Sequence, residues 1–177
     1  MAGLLLTDLI DVELLQKIQD EFSKYTGMAA LTTDADGNPL TEGSAFTDFC
    51  MKYTRQSELG YKRCVASDKN AAVMALESGE PVVYVCHAGL ADFASPIMLG
   101  DRLLGCFLGG QVRISSKIDE EALKETAEEL GTSVIKVRRV LITEGLWSSP
   151  TSQKIMELWE QNLSTKEIAE RIHYTEK

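Results

Sequence analysis

Between Asp11 and Tyr25 apolar residues fall three and four apart: Val12, Leu15, Ile18 and Phe22, with Gln19 on the same face. That period predicts an amphipathic helix, and Asp11 stands where an N-cap belongs. The pattern then shifts to short apolar runs. Met28 to Thr33 reads as a strand, Asp34-Ala35-Asp36-Gly37-Asn38-Pro39 as a tight turn, and the residues near Leu40 as a second strand. The turn is not a calcium loop, because the later acidic ligands are missing. Helical spacing returns over Ala45 to Arg55 and Ala66 to Glu77, where Ser67-Asp68 reads as a helix start, and Gly79-Glu80-Pro81 ends it. Val82 to Cys86, Ala94 to Leu99 and Leu103 to Gly109 are strand-like, the last two joined by the hairpin signal Gly100-Asp101. Gly105, Gly109 and Gly110 let the final strand bend or approach another group closely. An acidic amphipathic helix follows from Ile118 to Gly131, then a helical stretch from Val134 to Val140 and one or two helices between Ser152 and His173.

The resulting order of helix, two strands, two helices and three strands predicts an α+β fold. A small antiparallel sheet carries a helical insertion and is flanked by N- and C-terminal helices. The 177 residues, 44% of them hydrophobic, suffice for one sizeable core. Ser148-Ser149-Pro150 is the best boundary. It separates a core over 1–147 from a helical extension over 148–177, the possible start of an output or linker segment.

Charge narrows the partners. A net charge of −9, from 18 basic and 27 acidic residues, opposes a broad nucleic-acid surface. The longest apolar runs fall far short of the roughly 20 residues needed to span a bilayer. Gly3-Leu4-Leu5-Leu6 is too short for a signal-peptide core. A cytoplasmic protein without membrane association is expected. Near the C-terminus, Leu163 to Ile172 resembles the first helix of a helix-turn-helix, but no recognition helix follows. Ile155, Met156, Trp159 and Leu163 suit a partner helix equally well, and a homodimer is expected.

Candidate chemistry concentrates in the middle of the chain. Cys50, Cys64 and Cys86 precede His87, and the only other cysteine and histidine are Cys106 and His173. A reducing compartment favours metal binding, redox sensing or packing over disulfides. The gaps of 13 and 21 residues are not a Cys-x-x-Cys clamp. Thiolates from Cys50, Cys64 and Cys86, with or without His87, could hold zinc, an iron–sulfur centre or a haem iron if the fold gathers them. Cys86 and His87 would point to opposite faces of a continuing strand, so both reach one ion only if the strand breaks at Ala88-Gly89. The plain alternative is that these thiols are small buried hydrophobes. A Cys86–His87 nucleophile pair is conceivable, yet strand neighbours seldom make the required hydrogen bond. No Gly-rich nucleotide loop, His-Glu-x-x-His or Gly-x-Ser-x-Gly is present, so an enzyme is not expected. His87, Gly89, Asp92 and Phe93 form a polar, glycine-containing segment able to meet a small ligand, and the Gln111 amide can donate to and accept from an alcohol or carbonyl.

These residues carry a resemblance. Leu6 to Asp11, Phe49-Cys50, Arg63-Cys64 with Ser67-Asp68, Gly79-Glu80-Pro81 before Tyr84, Cys86-His87-Ala88-Gly89-Leu90, Asp92, Pro96-Ile97, and Leu104-Gly105 through Gly109-Gly110-Gln111-Val112 make up the pattern. Over residues 6 to 145 the chain resembles the PocR-type sensory domain, a PAS-like ligand-binding module of bacterial transcription regulators and histidine kinases. The resemblance implies sensing of simple hydrocarbon derivatives, such as propanediol, in a cavity where the sheet and the helical insertion meet. A small organic ligand, whether alcohol, acid or other hydrocarbon derivative, is the expected partner. Two alternatives stand beside this: a thiol- or metal-based redox or gas sensor using Cys50, Cys64 and Cys86, and a dimerisation module that senses nothing.

Overall fold

The computed structural model describes residues 3–112, 120–131 and 133–143, with the single positions 158, 161 and 167. Helix α1 spans Val12–Thr26, and its Asp11 cap accepts from the backbone N–H groups of Glu13 (2.9 Å) and Leu14 (3.2 Å). Strand β1 is Ala29–Asp34, followed by a π-helical turn at Phe49–Thr54 and helix α2 at Glu58–Ser78. Strands β2 (Val82–Val85), β3 (Ala91–Leu99) and β4 (Arg102–Val112) complete an open antiparallel sheet in the order β1-β4-β3-β2. Helices α3 (Glu120–Glu129) and α4 (Val134–Thr143) follow. The expected α+β class holds. No helix among the described residues is long and apolar enough to cross a membrane.

The two sheet faces are covered differently. Leu31, Leu108, Ala94 and Val82 stand abreast on one face across all four strands. Against them lie Ala71, Ala72 and Ala75, whose short side chains bring α2 close to the sheet. On the other face Phe93 and Phe107 meet Phe22 of α1 edge-on, at centroid distances of 5.9 and 5.2 Å. Leu6, Leu15 and Leu104 extend that core towards the N-terminus. A further cluster joins Phe49, Cys50 and Leu90 to Leu123, Ala127 and Val137 of α3 and α4. The β3–β4 hairpin turns at Gly100, whose φ of +59° is readily adopted without a Cβ.

Four expectations need correction. The second strand near Leu40 is reduced to two isolated bridges, Thr33 with Pro39 and Ala30 with Ser44. There the Thr32 N–H donates to the Thr41 side chain (3.0 Å) instead of to a neighbouring strand. The helix expected over Ala45 to Arg55 is only the π-helical turn, closed by the wide bond from Arg55 N–H to the Cys50 carbonyl (2.8 Å). Helix α2 begins at Glu58, capped by the Ser57 hydroxyl accepting from Gly60 N–H (2.9 Å), so Ser67 and Asp68 lie mid-helix and cap nothing. On α1, Val12 and Ile18 are exposed, while Gln19 is fully buried among polar partners. The extension over 148–177 and its boundary lie outside the described residues apart from the three single positions.

Candidate functional site

Helical spacing gives α2 one continuous face with two characters. Its C-terminal part is the alanine stripe on the sheet; its N-terminal part presents Cys64, Ser67 and Asp68. Opposite them the π-helical turn and the residue after it supply Cys50, Thr54 and Arg55, the sheet supplies Tyr84, Asp92, Leu108 and Gln111, and the turn after β2 supplies Cys86. Together these line a partly open cavity of about 50 Å³. At roughly 10–15 Å³ for each enclosed water on this measure, that is room for a molecule of a few heavy atoms.

The strand β2 ends at Val85, and the chain turns over Cys86 to Gly89. The Gly89 N–H donates to the Cys86 carbonyl (2.9 Å), and Cys86 N–H donates to the Leu90 carbonyl (2.8 Å). His87 is held by its N–H donating to Ser67 Oγ (3.2 Å), and its Nε2 lies 3.3 Å from Cys64 Sγ. The strand therefore ends before Cys86 rather than at Ala88-Gly89, so Cys86 and His87 are not strand neighbours, and the imidazole's partner is Cys64 of α2 rather than Cys86.

A bulge completes the floor. Ala91 pairs with Val112 and Phe93 with Gly109, so Asp92 faces both Gly110 and Gln111. Bulges of this kind re-aim side chains beside sites. Gly110 has φ +145° and leaves no room for a Cβ beside Asp92; Gln111 has φ +59°, a strained value for a side-chain-bearing residue. Three hydrogen bonds hold that strain. Gln111 N–H donates to Asp92 Oδ1 (2.5 Å), and Gln111 Oε1 accepts from the backbone N–H (2.9 Å) and hydroxyl (3.0 Å) of Thr47. The sheet end is thereby tied to the insertion.

Charge in the cavity is nearly cancelled. The Arg55 guanidinium lies 3.3 Å from Asp68 Oδ2 and stacks over Phe46, 5.1 Å from the ring centroid. The Tyr84 hydroxyl donates to Asp68 Oδ1 (3.2 Å). Burial raises the Asp68 carboxyl even against the opposing pull of Arg55. Asp92 is half-buried and lines the cavity, and desolvation pushes its carboxyl up to about 7. Burial likewise lifts the thiols, Cys50 to about 12 and Cys64 to about 11, and Cys86 well above its ordinary range. The His87 imidazole is lowered by burial and by the positive Arg63 and Arg55 nearby. The thiols are therefore protonated, and the imidazole is neutral at neutral pH.

Residues 8–166 match the family model of the sensory domain found in PocR. The chain belongs to that family. Over 110 residues it is 36% identical to Regulatory protein PocR of Salmonella typhimurium (strain LT2), a match covering 62% of this chain and 36% of that protein. No solved structure matches the chain significantly. The chain spans about a third of the length of that relative, the part that matches the sensory domain.

Within this PocR domain the expected site residues separate. Cys50, Cys64, Cys86, His87, Asp92 and Gln111 all line the cavity. Gly89 shapes the turn (φ +77°) without lining it. Phe93 belongs to the opposite face, in the aromatic core with Phe22 and Phe107, because successive strand residues point opposite ways. Among the described residues no three His, Cys, Asp or Glu side chains are grouped so that they could hold a metal ion. Cys50, Cys64, Cys86 and His87 thus share a wall without forming the expected four-ligand group: Cys50 packs into the apolar cluster with Leu90, Cys86 bonds to Asp92, and only Cys64 meets His87. Sequence reasoning missed Arg55 and Tyr84. The hydroxyl-bearing residue in an otherwise aliphatic strand was a legible signal for Tyr84; Arg55 had none.

Proposed function

We propose that this PocR sensory domain binds a small, uncharged, hydrogen-bonding molecule, such as a short alcohol or diol, and passes its occupancy to a regulatory output. The observation that carries the reading is a cavity for a few heavy atoms whose charges are already paired or protonated. Arg55 is matched by Asp68, so it offers no free positive charge to a carboxylate. Asp92, titrating about 7, repels an anion when charged and hydrogen-bonds an alcohol in either state. Phe46, Leu90 and Leu108 supply the apolar remainder of the lining.

The route outward runs through packing. Cys50 and Leu90 line the cavity and also belong to the cluster with Leu123, Ala127 and Val137, so filling the cavity bears on how α3 and α4 seat. A coupling of about 1–3 kcal/mol is enough for a useful switch. This function needs no catalytic step.

Thermal unfolding with a panel of short alcohols, diols, amines and carboxylates tests the proposal. Neutral compounds should stabilise with the logarithm of their concentration above Kd, by about 2.7 kcal/mol at a hundredfold excess. Tyr84→Phe should weaken binding without unfolding the domain. Equal stabilisation by carboxylates at pH 8, or none by any neutral compound, overturns it.

A further inference from the structure

The cavity wall brings a thiol beside an imidazole: Cys64 Sγ lies 3.3 Å from His87 Nε2. The contact is built from two elements. Helix α2 carries Cys64 and, one turn on, Ser67, whose Oγ accepts from the His87 N–H and fixes the turn that presents the imidazole. Among the described residues no imidazole stands beside the other thiols. Cys50 Sγ sits in the apolar cluster, Cys86 bonds to Asp92, and Cys106 donates to the Ser95 carbonyl (3.2 Å) within the sheet and does not line the cavity. With thiol and imidazole both neutral, the tautomer that leaves Nε2 free lets Sγ–H donate to it, the resting arrangement of a base-assisted nucleophile.

We propose that Cys64 and His87 form a covalent binding site at which a short aldehyde adds reversibly. The inference rests on the reading of the cavity as a ligand pocket. In the step, a sulfur lone pair forms the S–C bond to the carbonyl carbon while the C=O π pair moves onto oxygen. The Sγ proton passes to His87 Nε2 and then to that oxygen. The product is a hemithioacetal; nothing leaves, nothing is oxidised or reduced, and the reverse step returns the aldehyde and the thiol. Carbonyl addition draws on thiolate character, so with the thiol held protonated the transfer of its proton to His87 Nε2 accompanies S–C bond formation. The small volume selects short-chain aldehydes, and reversibility suits a sensor.

The experiment uses the full chain with acetaldehyde labelled with carbon-13 at the carbonyl carbon. The expected result is a protein-dependent hemithioacetal resonance that saturates at one label per chain. It should be absent in Cys64→Ser and retained in Cys50→Ser and Cys106→Ser. In His87→Ala, adduct formation should slow by about a hundredfold, the lower end of what a positioned general base contributes. Alcohol binding to wild type and Cys64→Ser is measured in parallel by calorimetry. Alcohol binding without any hemithioacetal overturns the covalent step and leaves the pocket standing. Neither signal overturns both, and an adduct that persists in Cys64→Ser overturns the assignment to Cys64.

Discussion

Two buried polar clusters lie on this sheet, and they are built on opposite principles. Beneath α1, Gln19 is wholly buried and fully bonded: its amide donates to the Glu42 carbonyl (2.7 Å) and Ser44 Oγ (2.8 Å), and its oxygen accepts from Thr32 (3.0 Å) and Thr41 (2.7 Å). The groups bonded to Gln19 are all neutral, and the network replaces the missing edge strand by tying the 40–44 segment to α1. Around the cavity the groups are ionisable instead: Arg55, Asp68, Asp92, Cys64 and His87, arranged about open volume. A saturated network specifies a structure. Titratable groups pressed together beside a void keep some of their hydrogen-bonding capacity for something else.

The sharpest way to break that comparison is pH. Asp92 titrates about 7 in the folded protein against an ordinary value of 3.8, so the folded state holds a proton that the unfolded chain has released. Its contribution to stability is therefore greatest below about pH 4 and is lost as pH rises through 7. At about 1.4 kcal/mol per pH unit the loss is at most about 4 kcal/mol. Asp92→Asn keeps an oxygen to accept from Gln111 and should flatten that slope in urea unfolding measured from pH 4 to 8; an unchanged slope removes Asp92 from the cluster's electrostatics. Next in size, Asp68→Ala leaves Arg55 without its carboxylate in a site where the two side chains are only 11% and 14% exposed. The expected cost is about 3 kcal/mol, read as a lower unfolding midpoint, and a cost under that of an exposed pair would show Arg55 to be solvated. Smallest is Gln19→Ala, which orphans hydroxyls that can partly re-pair with one another. It should cost about 2 kcal/mol by the same equal amount at pH 5 and pH 8. A pH-dependent cost would mean that the two clusters communicate.

Local signals were legible where local physics decides. Asp11 with its period of apolar residues, and Gly100-Asp101 between strand-like runs, placed α1 and the β3–β4 hairpin close to where they fall. The edge near Leu40 was not legible, because the competition between the Thr41 hydroxyl and a strand ladder depends on Gln19, which approaches from a different element. Asp68 read as a cap because a Ser-Asp pair looks the same at a helix start as in its middle, and its partners Arg55 and Tyr84 lie 13 and 16 residues away. The site was legible as a set of residue types, including six that line the cavity. The pairing within it was not: Cys64 with His87 arises from the packing of α2 against a turn, and Phe93 was misplaced only because strand parity could not be anchored without the bulge at Gly110-Gln111.

The alanine stripe of α2 acts as a spacer. Ala71, Ala72 and Ala75 set how near the helix lies to the sheet, and Cys64, Ser67 and Asp68 ride on the same helix towards its start. Enlarging any of the three alanines is expected to prise the helix from the sheet and to move that wall of the pocket with it.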